Sequence, residues 1–250
     1  MAYQDLQRSK TLSNIPERKL HEKILDLVQH CEKCSTKNIQ KIEQASDGLC
    51  ERCVVLTIAY GRYYQSNIPF EFWDFDMKSF RGSKTLIDLY EHISSDVSRA
   101  YNSGVSFCLA GLHGIGKSSV LSCFLRKCCE KNYSCLYTTL TDLVNSLIDA
   151  PRDDKYLVKK ELTMVDFLVI DELDSRFVGS DATSDLFGKN LEHIIRTRGQ
   201  NKLPTLFASN SPNPIEAFNG ALKQSIDSLM SKVKIIPVIG KDFRKVNNAQ

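Results

Sequence analysis

The eight residues Gly111-Leu112-His113-Gly114-Ile115-Gly116-Lys117-Ser118 constrain this 250-residue chain more than any other stretch. They satisfy the pattern G-x-x-x-x-G-K-[ST], and their flanks agree with it. The apolar run 105–111 reads as a short strand, and 117–132 reads as an amphipathic helix. Glycines at 111, 114 and 116 let main-chain N–H groups curl around phosphate oxygens, while the helix start turns its positive end toward the same anion. His113, Ile115 and Ser119 belong to the same candidate phosphate-binding loop. Lys117 is placed to reach the β- and γ-phosphates of a nucleotide such as ATP, and the Ser118 hydroxyl to serve Mg²⁺.

Beyond the loop, strand and helix patterns alternate. Strands are expected over 134–140, 165–173, 203–210 and 233–240, and helices over 141–150, 186–198 and, before the loop, 84–101, with a charged stretch at 151–162. Such alternation predicts an α/β fold of three layers, with a parallel five-stranded sheet covered on both faces. The run Phe167-Leu168-Val169-Ile170 ends in Asp171-Glu172. In a phosphate-loop protein, an acid at that point holds Mg²⁺ through its water shell, and a second one is set to orient or deprotonate water. The pair therefore points to hydrolysis of ATP. Asn210, closing LPTLFASN, is a candidate for holding that water.

The net charge of +3 excludes an acidic tail and a histone-like polybasic protein. No apolar run approaches the roughly 18–20 residues of a membrane span, and MAYQDLQRSK carries no signal-peptide core. A cytoplasmic protein with no membrane role is expected. Nine cysteines are many for such a protein, and four of them pair as Cys31-x2-Cys34 and Cys50-x2-Cys53. Two knuckles at this spacing are the sequence form of a closed Zn²⁺ site of four thiolates, a structural rather than a catalytic metal. His30 stands next to Cys31 as a possible substitute ligand. The charges nearby are mixed in sign, which favours protein docking over a DNA-gripping finger. The domain plan is then 1–60 for an N-terminal helix and zinc module, 61–83 for an aromatic-rich connector, and 84–250 for the nucleotide-binding domain.

With these motifs in order, the chain resembles an AAA+ ATPase. More narrowly, it is similar to the DnaC/DnaI/IstB-like group of replicative-helicase loaders and transposition helpers. GLHGIGKSS (111–119), VDFLVIDEL (165–173), IIRTRGQNKLPTLFASN (194–210) and GKDFR (240–244) carry the resemblance, and YYQSNIPFEFW (63–73) resembles the segment that often precedes the ATPase core. The resemblance implies that Asn210 is the sensor-1 residue and Arg244 the sensor-2 arginine. It places Arg198 at an arginine frequent before the sensor-1 strand, facing a neighbouring subunit. Where the group tends to carry finger arginines, this chain has Gln224 and Ser228. Arg196, Arg198, Lys223 and Lys232 are the available substitutes, and weak ATPase activity in isolation is expected.

The function implied is ATP-dependent loading of a replicative hexameric DNA helicase onto single-stranded DNA, by a homo-oligomer that forms with ATP. The alternatives are a transposition helper of the IstB type and a non-hydrolysing adaptor clamped by ATP. A small-molecule kinase is disfavoured by the second acid and by Asn210. For strand contact the candidates are Arg152, Lys155, Lys159 and Lys160, and the loop with Arg176 and Phe177. A solvated charged helix and an inward-packed phenylalanine are the equally simple readings.

Overall fold

The computed structural model describes residues 14–34, 49–148, 151–173, 181–215, 223–224, 227, 233–240 and 242. Among the described residues, four α-helices precede the sheet: α1 (Glu17–Gln29), α2 (Glu51–Gln65), α3 (Lys84–Ser95) and α4 (Val97–Asn102). Then come β1 (Ser106–Ala110), α5 (Lys117–Glu130), β2 (Cys135–Thr139), α6 (Leu140–Ile148), α7 (Arg152–Met164), β3 (Phe167–Asp171), α8 (Asp181–Gln200), β4 (Thr205–Ser209) and β5 (Lys234–Pro237). All five strands run parallel in the order β2-β3-β4-β1-β5.

Side chains alternate across this sheet with period two, and both faces are covered. Phe107, Leu109, Phe167, Val169, Leu206 and Ala208 enter one core, shared with α3, α5 and the aromatic segment around Trp73. Cys108, Leu168, Ile170 and Phe207 enter the other, shared with α6, α7 and α8. This is why FLVI (167–170) is an unbroken apolar run: each residue is buried, on one side or the other. The three-layer parallel architecture expected from the alternation is the one observed.

Four helices end in the same way, with a left-handed residue after the cap. They are α2 at Asn67 (φ 52°), α4 at Gly104 (φ 62°), α5 at Asn132 (φ 66°) and α8 at Lys202 (φ 54°). At α2 the pair Asn67 N–H to Tyr64 O (3.0 Å) and Ile68 N–H to Tyr63 O (3.1 Å) closes a Schellman motif. The corresponding pairs recur at the other three ends, at Gly104/Val105, Asn132/Tyr133 and Lys202/Leu203. Three of these turns feed β1, β2 and β4 directly, so they set where each strand enters the sheet.

One local expectation is corrected and two are refined. The helix expected over 84–101 breaks at Asp96, whose carboxylate instead accepts a bond from Arg99 N–H (2.9 Å) and caps α4. The charged stretch at 151–162 is helical: Val158, Glu161 and Leu162 form the buried side of α7, and its charges lie around the rest. The boundary expected at residue 60 falls inside α2, which continues unbroken to Gln65. From there Ser66 O accepts from Tyr137 N–H (2.8 Å), so this segment pairs with the outer edge of β2. Trp73 is 1% exposed, stacks on Tyr60 (centroids 5.8 Å apart) and donates from Nε1 to Ile68 O (2.7 Å). Tyr63, Ile68, Trp73 and Phe80 of this segment are thus in the core, and Trp73→Ala would cost about 3–5 kcal/mol.

Candidate functional site

The C-terminal ends of β1, β3 and β4 converge on the loop that follows β1, where ligands bind in open parallel sheets. Gly116 caps α5 in the left-handed region (φ 93°), and a Cβ there would meet the Phe80 ring at 2.4 Å. Only glycine fits, because the backbone angle and the packed ring both exclude a side chain. Lys117 begins α5 and is 4% exposed. Its Nζ donates to Gly111 O (2.9 Å) and Leu112 O (2.7 Å), which draws the loop into a ring around the ammonium.

Asp171, the last residue of β3, is 4% exposed. Its Oδ1 accepts from the Glu172 N–H (2.7 Å), and its Oδ2 accepts from the Tyr137 hydroxyl. Glu172 has φ 53°, a left-handed conformation that costs a side-chain-bearing residue roughly 1–2 kcal/mol. That turn brings an exposed carboxylate out of the strand end beside a buried one. Neighbouring β4 holds it there: Leu173 N–H donates to Ala208 O (2.9 Å), and Ser209 Oγ donates to Leu173 O (3.0 Å). Glu172 and Asn210 are thereby fixed on adjacent strand ends.

One cavity of about 550 Å³ is lined by His113, Gly114, Gly116, Lys117, Ser118, Ser119, Asp171, Glu172 and Asn210 together. Its size suits a nucleotide. Its donor set suits a magnesium-bound triphosphate: a buried ammonium, a glycine-lined loop, a hydroxyl and a buried carboxylate. Two loop residues named from the sequence play other parts. Gly111 sits beneath the loop and donates its N–H to Ser209 O (3.3 Å), and the Ile115 side chain is 1% exposed in the core.

At the other end of the described chain, the Sγ atoms of Cys31, Cys34, Cys50 and Cys53 all lie within 4.8 Å of one another. Cys31 and Cys50 are 3.6 Å apart. A tetrahedral zinc with bonds near 2.3 Å separates its sulfurs by about 3.8 Å, so the four thiols fit that ion. Cys50 caps α2, where the Cys53 main-chain N–H in particular pulls its thiol down to about 6. His30 is turned elsewhere: its Nδ1 lies 2.9 Å from Asp26 O and 3.1 Å from Asp26 Oδ1, leaving four sulfurs as the ligand set.

No protein-family model matches the sequence. A stretch of 135 residues, 51% of this chain, is 27% identical to the replicative helicase loader DnaI of Bacillus subtilis and spans 41% of that protein's length. Among solved structures, DnaI superposes with a TM-score of 0.50 at 20% identity, covering 68% of this chain and 88% of that one. The DnaC helicase loader superposes with a TM-score of 0.52 at 16% identity, covering 68% and 99%. The fold is the one found in the solved structures of DnaI and DnaC.

One residue carried over from that group is corrected. Arg198 does not face a neighbour: it is fully buried inside its own subunit. Nε donates to Thr205 Oγ1 (2.9 Å), Nη1 to Leu162 O (2.9 Å) and Val165 O (2.8 Å), and Nη2 to Pro204 O (2.6 Å) and Asp166 O (3.3 Å). Burial pushes it down to about 9, still protonated at neutral pH. The arginine ties the end of α8 to β4 and to the turn before β3. Arg244, Ser228, Lys232 and the loop with Arg176 and Phe177 lie outside the described residues. Lys223 and Gln224 are exposed.

Sequence reasoning missed two contributors to the cavity. The connector supplies a wall through Phe72, Phe75, Phe80 and Arg81, and β2 supplies Tyr137. The aromatic density of FEFWDFDMKSF was the available signal for the wall. Nothing in CLYTT singles out Tyr137.

Proposed function

We propose that the chain is an ATP-dependent loader that places a replicative hexameric helicase on single-stranded DNA in the cytoplasm. The observation that carries this is the meeting of Lys117, Ser118, Asp171, Glu172 and Asn210 in one cavity of an AAA+ fold. The likeness to DnaI supports the biological role.

The loop N–H groups and Lys117 bind the triphosphate. Ser118 and Asp171 would hold Mg²⁺, which would offset charge on the β- and γ-phosphates. Asn210 orients a water, and Glu172 takes its proton as the water oxygen bonds to the γ-phosphorus and the bond to the β-phosphate oxygen breaks. Products are ADP and inorganic phosphate. Arg244 is proposed to contact the bound nucleotide. The zinc module, held by Cys31, Cys34, Cys50 and Cys53, is proposed as the helicase-docking end. ATP drives assembly into an oligomer in which a neighbour supplies the missing cation, and a lone subunit turns over slowly.

The test is Glu172→Gln in a full-length chain. Expected are retained ATP affinity, a hydrolysis rate lowered at least 100-fold, and retained helicase capture by size-exclusion chromatography. Failure of the wild-type protein to bind ATP or any hexameric helicase would overturn the proposal.

A further inference from the structure

Tyr137 stands at the centre of the cavity without belonging to any nucleotide-binding motif of the sequence. It is 5% exposed, its hydroxyl donates to Asp171 Oδ2, and it lines the same cavity as Ser118. The side chain suited to Mg²⁺ at the end of β3 is therefore held by a phenol from β2.

Its backbone is held as firmly. Tyr137 N–H donates to Ser66 O (2.8 Å), and Tyr137 O accepts from Asn67 Nδ2 (3.0 Å). On the other side of the carboxylate, Asp171 Oδ1 is occupied by the Glu172 N–H (2.7 Å). Each carboxylate oxygen thus has one fixed donor, and the remaining lone pairs of the acid are left for the cavity. A carboxylate held in this way loses little rotational freedom when it takes up a hydrated cation. Groups behind a ligand that fix its orientation commonly change metal affinity 10–100-fold when removed.

Resting on the magnesium–ATP reading above, we propose that Tyr137 is a positioning residue for the magnesium–nucleotide complex, its hydroxyl locking the Asp171 carboxylate in the orientation that accepts the metal's water shell. It touches neither water nor phosphate in the reaction. Its effect is therefore on metal-dependent affinity.

Calorimetric titration of full-length wild type and Tyr137→Phe with ATP tests this, in EDTA and across a MgCl₂ series. Removing one oxygen preserves the packing of the ring. The expected result is an ATP affinity in EDTA within twofold of wild type, and a magnesium midpoint raised about tenfold. Equal losses in EDTA and in magnesium accompanied by a lower melting temperature would overturn the proposal, as would a variant that does not fold, because the hydroxyl would then be structural. A wild-type chain that binds no ATP under either condition sinks the nucleotide reading itself. Magnesium curves of wild type and Tyr137→Phe that superimpose sink this inference alone.

Discussion

Asn67 holds Tyr137 by a 3.0 Å bond from its side-chain amide to the tyrosine carbonyl, while its own backbone closes α2 in the left-handed region at φ 52°. One residue therefore ends the helix that starts at the cysteine cluster and braces the strand that reaches the cavity. Its Oδ1 also accepts from Asn14 N–H (3.0 Å). Asn67→Ala removes both side-chain bonds and puts a Cβ with no local hydrogen bonding into that conformation. A loss of about 2–3 kcal/mol in urea unfolding is expected, of which roughly 1 kcal/mol is backbone strain. Asn67→Gly separates the two: it should recover the strain and leave the bond energy missing. Equal stability of the two variants would show that the turn carries no strain.

Much of this was legible because local chemistry and global fold agree. Gly111, Gly114, Gly116 and Lys117 announce the loop, and FLVI announces a strand buried on both faces. Asn132 and Gly104 mark helix ends, being residues that tolerate left-handed backbone. Lys202 in the same conformation was not readable, since nothing local favours it there. Arg198 misled for a related reason. The resemblance alone placed it at a subunit boundary, and only the fold brings Leu162, Val165, Asp166 and Pro204 carbonyls around it. The aromatic connector was legible as a segment whose rings pack onto the next domain, but its partners on α2 and α5 were not.

Zinc removal is expected to be felt in α1 and α2 first. Val28, Cys34 and Cys53 form a small core of their own where the two helices adjoin, too little to hold those ends without the metal, whereas Leu20, Tyr60 and Tyr63 pack into the main core. The full chain should carry one zinc by atomic absorption, and Cys34→Ser should carry none. Chelation should lower the helical signal at 222 nm while the sheet persists. A chain that is metal-free as purified and shows the same helical signal would contradict a structural site.

Alkali should unfold the protein through its tyrosines. Tyr60 and Tyr63 are shifted upward by burial first, and by their bonds to Asp74 (2.7 Å) and Glu130 (2.7 Å) second. Tyr137 is shifted the same way. A folded-state value above the unfolded one, near 10, stabilises fully below pH 10 and loses that contribution as the pH climbs past it. Absorbance at 295 nm should therefore show incomplete tyrosine ionisation in native protein near pH 10. The remainder should appear together with loss of ellipticity. Full ionisation of all nine tyrosines before unfolding would refute this.

Arg198 distinguishes a buried clamp from a catalytic arginine acting on a neighbour. Its planar fork reaches five acceptors, and a lysine offers three donors from one point. Arg198→Lys should cost about 3 kcal/mol in chemical denaturation, and Arg198→Met about 4 kcal/mol or more, because the methionine leaves buried carbonyls without donors. ATP turnover per folded molecule should stay within a fewfold of wild type. Mixing Arg198→Lys subunits with Glu172→Gln subunits tests the same point. Such mixtures should hydrolyse ATP in proportion to the Arg198→Lys fraction, because the clamp serves its own subunit. A variant with an unchanged melting temperature and turnover reduced 100-fold would return Arg198 to the subunit boundary.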